Sequence, residues 1–232
     1  MFLWFIAVLF VAINTSCSDD ETIPSTLPAS FRYFPLDTNT WVIYDVDSIV
    51  HLDRDDAYGV DTSIERFSFQ VMEVTDSAYI DGQNETAYRI SRFRRVNDSL
   101  PWQFQSVWSA KRTASNAQRV EENIRFVRLS FPIDSRSTWN GNAFNYYPEE
   151  LYYYEDIHQP LIVQGLAFDS SVTVIQNDFV SNVNRITKIE KYAVGVGLVD
   201  KQLDSLRLSL NFGGVLILNG LEYSQRVNSY SH

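Results

Sequence analysis

The chain has 232 residues, of which 45% are apolar, 14% aromatic and 21% charged; this balance excludes a disordered chain and a multi-span membrane protein. Its 19 Lys and Arg against 29 Asp and Glu give a formal charge of −10, which argues against nucleic acid as a partner because phosphate binding needs a basic face. The only cysteine, Cys17, allows neither an internal disulfide nor a cysteine-based metal cluster within one chain.

In chain order, residues 1–13 (MFLWFIAVLFVAI) are continuously apolar. The run is shorter than the roughly 20 residues that cross a bilayer and fits the apolar core of a secretory signal, although no Lys or Arg precedes it. Asn14-Thr15-Ser16 then lead into Cys17. This arrangement resembles a bacterial lipoprotein signal, with Asn14 at a position usually aliphatic. The resemblance implies a signal peptide over 1–16 and a covalent lipid on Cys17, with no other cofactor. Each buried methylene adds about 0.8 kcal/mol, so two or more chains hold a protein stably on a membrane. Ser18, Asp19, Asp20 and Glu21 resemble the acidic export signal of Bacteroidota lipoproteins, which implies outer-membrane anchoring with the chain at the cell surface. Residues 17–30, with two prolines and no strand pattern, read as a tether.

From Phe31 onward apolar residues recur mostly with a period of two, the mark of half-buried antiparallel strands. Val42, Tyr44 and Val46 alternate with polar residues or Ile43, and Phe67, Phe69 and Val71 do the same. Trp102, Phe104 and Ser106 form a further face, and Arg125, Val127, Leu129 and Phe131 another. Leu206, Leu208, Leu210 and Phe212 lead to Gly213-Gly214, from which Val215 to Leu218 return as a hairpin. Pro148-Glu149-Glu150 and Ser109–Glu122 invite at most short helices. The basic runs 92–95 and 111–112 read as solvated strand or loop positions. The expected fold is all-β, a single curved antiparallel sheet or partly open barrel, with one domain over 31–223 and a C-terminal tail over 224–232.

Tyr33-Phe34-Pro35-Leu36, Trp41-Val42-Ile43-Tyr44 and the segment 190–199 (EKYAVGVGLV) carry a family resemblance. The chain resembles uncharacterised Bacteroidota lipoproteins that open with a "YFPL…W.Y" strand and close with a "YA.GVGLV" strand, although the glycine usual inside the opening motif is absent from 37–40. The resemblance implies no known activity. In the closing strand Tyr192, Val194, Val196 and Leu198 share a face, and Ala193, Gly195 and Gly197 keep the other flat for a bulky neighbour.

Candidate chemistry is sparse. His51, His158 and His232 lie in unrelated contexts and read as surface or loop residues, and no spacing suggests a zinc site. Asp53-Arg54-Asp55-Asp56 lacks the glycine and spacing of a calcium loop. Glu149-Glu150 and Glu155-Asp156 could in principle supply the paired carboxyls of glycoside hydrolysis, but acids are too frequent for such pairs to be diagnostic. No catalytic residue and no metal ligand is assigned, and the chain is not expected to be an enzyme.

The aromatic stretch is more informative. Trp139, Phe144, Tyr146, Tyr147, Tyr152, Tyr153 and Tyr154 fall within sixteen residues. A strand cannot bury tyrosine on both faces without partners for the hydroxyls, so Trp139, Tyr146, Tyr147, Tyr152, Tyr153 and Tyr154 are candidate binding residues. The leading expectation is an accessory subunit that docks on a larger outer-membrane protein. The alternative is a lipoprotein that binds glycans or small ligands by ring stacking; against both stands the reading that most of these rings cover the domain's own open sheet edge or barrel mouth.

Overall fold

A computed structural model describes residues 28–52, 63–211 and 214–231. Cys17, the acidic run 18–21, Asp53–Asp56 and His232 lie outside the described residues. After a 3-10 helix, Ala29–Tyr33, come twelve strands. They are β1 Thr40–Leu52, β2 Ser63–Ile80, β3 Thr86–Arg95, β4 Gln103–Arg112, β5 Asn116–Glu121 and β6 Ile124–Ser130. The second half has β7 Thr138–Asn140, β8 Leu151–Val163, β9 Leu166–Val180, β10 Asn184–Ala193, β11 Gly197–Asn211 and β12 Gly214–Tyr230.

All twelve form one antiparallel sheet in the order β6-β5-β4-β3-β2-β1-β12-β11-β10-β9-β8-β7. Every sequential pair except β6 and β7 is hydrogen-bonded, and the first and last strands also pair with each other, so the meander is nearly closed into a barrel with β6 and β7 as its two edges. The seam between β6 and β7 is fastened mainly by side chains. The Val127 amide donates to the Gly141 carbonyl at 2.9 Å, and the Trp139 indole N–H to the Val127 carbonyl at 3.0 Å. The Tyr154 hydroxyl accepts from the Ser130 amide and donates to its carbonyl. Asn145 Nδ2 donates to the Arg125 carbonyl at 2.8 Å. Gly141 is required here because a Cβ would fall 2.1 Å from the Tyr152 ring.

An up-and-down meander places alternate turns at opposite ends. The turns β2–β3, β4–β5, β6–β7, β8–β9 and β10–β11 share one end with the segment that precedes β1. That end is plugged. The 3-10 helix and residues 34–36 lie across it, and Tyr33, Phe34 and Leu36 are buried in the larger apolar cluster with Ile90, Leu129, Val172, Val174 and Tyr192. Arg112 donates to the Phe31 carbonyl and the Gly195 amide to the Arg32 carbonyl. The β8–β9 hairpin also bends onto this end. Asp156 and His158 adopt positive φ, a region sparse for non-glycine residues, where the β8–β9 register slips. The tip is held by Gln164, which donates to the Arg226 carbonyl at 3.2 Å, and by the Tyr33 hydroxyl, 2.6 Å from both His158 Nδ1 and Ser170 Oγ.

Several expectations require correction. Residues 224–230 are not a tail: they complete β12, pair with β1 through Val42, and include the fully buried Val227. The 3-10 helix of the plug already includes Ala29 and Ser30, ahead of the expected boundary at Phe31. Within the limit of at most short helices, Ser109–Glu122 is strand, turn and strand, with Ala110, Ala117 and Arg119 turned into the interior, and Pro148–Glu150 is an irregular loop. Residues 190–199 are not one strand. Gly195 and Gly197, with φ of 82° and 91°, form the β10–β11 turn, across which Tyr192 pairs with Leu198 and Ala193 with Gly197. Pro35 does pack 3.4 Å from where a Gly197 Cβ would stand, whereas Gly195 has open space. The face predicted for 125–131 breaks at Arg128. Leu129 pairs with Ala117 and Val127 with Gln118, which leaves Arg128 as an inserted residue.

The basic runs are not merely solvated. Lys111 is buried and donates to Asp81, Gln83 and Glu85 of the β2–β3 turn, and Arg92 is buried against Glu73. Arg94 and Arg95 lie over the rings of Phe69 and Trp102.

Candidate functional site

Away from the plug the interior turns from apolar to charged. Glu73 of β2 meets Arg92 of β3 at 3.1 Å and Arg119 of β5. Arg119 lies 3.9 Å from Glu121, and Arg128 of β6 bridges Glu121 at 2.6 Å and Glu190 of β10 at 3.3 Å. Lys201 of β11 completes the chain, 3.1 Å from Glu190. Three carboxylates and four cations thus span the lumen from wall to wall. Arg92 and Arg119 also lie over the Trp108 ring, at 3.6 and 4.9 Å from its centre.

The protonation of this network follows from its contacts. Burial alone would raise the Glu121 carboxyl, but Arg128, Lys201 and Arg119 outweigh it and hold the group at about 2. Glu190 is likewise below its ordinary range, since Arg128 and Lys201 overcome burial. Burial raises the Tyr44 and Tyr192 hydroxyls well above normal, so both remain donors: Tyr192 to Glu190 at 2.6 Å and Tyr44 to the Leu198 carbonyl at 3.0 Å.

Beyond the network lies a cavity of about 560 Å³ at the unplugged end, the mouth. Its floor includes Arg128, Glu190 and Lys201, and its sides are formed by Phe126, Tyr147, Tyr152, Gln176, Lys188 and the loop residues Pro148–Glu150. Lys188 is paired with Glu150 at 2.7 Å, and Asn177 donates to the same carboxylate. Gln176 arrives through a second bulge. Lys188 pairs with Asn177 and Ile189 with Ile175, so Gln176 is the inserted residue. Its side chain is 7% exposed and its amide nitrogen has no hydrogen-bond partner.

The structure divides the aromatic stretch. Tyr152, only 2% exposed, Tyr154 and Trp139 belong to the core, with Trp139 wedged between the two tyrosines. As exposed binding residues these three are corrected: the seam needs their bulk, and Trp139 and Tyr154 fasten it through backbone partners. Tyr152 nevertheless contributes to the cavity wall. Tyr146, at 79% the most exposed of the group, packs on Tyr147, and Tyr153 is also exposed. His51 is buried, 2.7 Å from Glu222, and not a surface residue, whereas His158 is exposed and serves the plug through Tyr33. Glu149 and Glu150 line the cavity, and Glu155 and Asp156 do not. Among the described residues no group of three His, Asp or Glu is placed to hold a metal ion.

The remaining exposed apolar side chains are unevenly distributed. Tyr79, Ile80 and Ile162 lie toward the plugged end, and Val107 lies midway along β4. At the mouth, Leu52, Ile64 and Phe67 flank the β1–β2 connection, and Val96, Leu100 and Phe104 the β3–β4 turn. Phe144, Tyr146, Tyr147, Leu151 and Tyr153 belong to the β7–β8 connection, Phe179, Val180 and Val183 to β9–β10, and Leu210 and Val215 to β11–β12. Five of the six connections at this end therefore present a crown of apolar residues. The signal missed in the sequence is this recurrence beside turns, together with the inward acids and bases of β2, β5, β6 and β10. No protein-family model matches the chain, and no curated protein or solved structure matches it either.

Proposed function

We propose that the chain is an outer-membrane lipoprotein, anchored by lipid on Cys17, that belongs to the Bacteroidota family its motifs resemble. Its role is binding or assembly without catalysis: it is an accessory subunit that docks on a larger outer-membrane protein at the cell surface. The observation that carries this reading is the apolar crown, since soluble surfaces rarely gather so many large apolar side chains at one end unless a partner covers them. The tether would enter at the plugged end, so the mouth would point away from the bilayer, toward extracellular parts of the partner. A glycan platform built from a row of exposed rings is the weaker reading because Trp139, Tyr152 and Tyr154 are buried.

The test is site-specific photocrosslinking in native outer membranes, with the crosslinker at Leu210 or at Ile162. The proposal expects a discrete adduct with one outer-membrane protein from Leu210 and none from Ile162. Equal labelling from both positions, or no adduct from Leu210, would refute it. Replacement of Cys17 by Ala should release the protein from the membrane fraction.

A further inference from the structure

The cavity inside the mouth has a lining more specific than docking of the crown requires. Its volume of about 560 Å³ falls within the range of small-molecule sites, about 300–1,000 Å³. Its cations are committed: Arg128 to Glu121 and Glu190, Lys201 to Glu190, and Lys188 to Glu150. A phosphate or carboxylate would have to break these pairs. A wholly apolar occupant would strip water from the same charges without replacing their hydrogen bonds.

What the lining does offer is a ring wall and a set of polar edges. Phe126 and Tyr147 stack with their planes 25° apart, and Tyr152 adds a third ring to the lining. Opposite in chemistry are the side-chain carbonyl oxygens of Asn177 and Gln202, whose amide nitrogens already donate to Glu150 and Asp204, and the amide of Gln176. Gln176 is the telling member, because a buried amide donor without a partner is rare and disfavoured in a native fold, and a bulge brings it to the cavity wall. We infer that this cavity binds a neutral saccharide of one or two rings, whose C–H face packs on the aromatic wall and whose hydroxyls pair with the polar edges, one of them accepting from Gln176.

The test uses the full-length lipoprotein in mild detergent and ligand-observed NMR against neutral hexoses, N-acetylhexosamines and disaccharides at millimolar concentration. At least one sugar should bind the wild type. Gln176→Leu should weaken it about tenfold, the loss of one hydrogen bond, without lowering the melting temperature, since the amide has no partner to lose. Tyr147→Ala should weaken the same sugar with the fold intact. No binding by any of these sugars would overturn the inference, as would a sugar bound equally well by both variants, or preferential binding of inorganic phosphate or an alkylamine. Tyr147 also belongs to the crown, but Gln176 does not, and the sugar titration involves no partner protein, so failure here and failure of the docking reading remain distinguishable.

Discussion

The two ends of this barrel solve the same problem by opposite means. At the plugged end the chain's own residues 29–36 and the bent β8–β9 hairpin fill the opening, and the interior there is an apolar cluster built on Tyr33, Phe34 and Leu36. At the mouth no segment of the described chain fills the lumen. Its interior is an ion network, and the apolar residues stand outside on the rim. The difference separates stability from binding: apolar residues turned inward hold the fold, and those turned outward at the mouth are available to something else.

Substitutions that attack the plug or the seam should have the largest effects. Tyr33→Ala removes a buried ring and its links to His158 and Ser170, and should cost about 3–5 kcal/mol, read as a fall in the denaturation midpoint. Tyr152→Ser combined with Tyr154→Ser should be at least as damaging; retention of a cooperative transition with an unchanged midpoint would show that the seam does not depend on them. Tyr154→Phe keeps the ring and removes only the hydroxyl that serves both backbone groups of Ser130, so a loss of about 1–3 kcal/mol is expected.

The lumen network predicts a pH dependence. The folded pKa of Glu121 is depressed from an ordinary 4.5 to about 2. Its stabilisation is therefore fully present above about pH 4.5 and is lost as the pH falls toward 2. Melting temperatures of the wild type should decline across that window. Glu121→Gln should start lower and decline less steeply, and parallel profiles would remove Glu121 from the account.

The smallest effects on stability should come from the rim. Tyr146→Ser, at the most exposed of the candidate tyrosines, should change stability by less than about 0.5 kcal/mol while weakening association with the partner. A large loss of stability would place that ring in the core and blur the division between the two ends.

How far the sequence revealed this arrangement depended on local pairing. Strand alternation around Tyr44 and Val46, and at Phe69 and Val71, reads directly because β1 and β2 pair without a break from Thr40 to Leu52. The hairpin of β11 and β12 reads equally well from its leucines and glycines. Alternation failed where a residue is inserted, since one extra residue reverses every side chain beyond it. Arg128 and Gln176 are such residues, and they are also the centre of the ion network and the orphan amide of the cavity. Tyrosine density singled out the segment 139–154, but the sequence could not sort core rings from rim rings. That sorting depends on the seam with β6, a contact between segments that only the folded barrel brings together.

The docking proposed above assigns the partner to the mouth and not to the plugged end. Its most direct test is purification of tagged protein from native outer membranes in mild detergent, with co-purifying proteins quantified by mass spectrometry. Wild type would be compared with Phe179→Ser/Leu210→Ser at the mouth and Ile162→Ser near the plug. One outer-membrane partner is expected at near-equal stoichiometry with wild type and Ile162→Ser, and its loss from the mouth variant while that variant still melts like wild type. Wild type emerging alone, or a partner retained equally by the mouth variant, would contradict it.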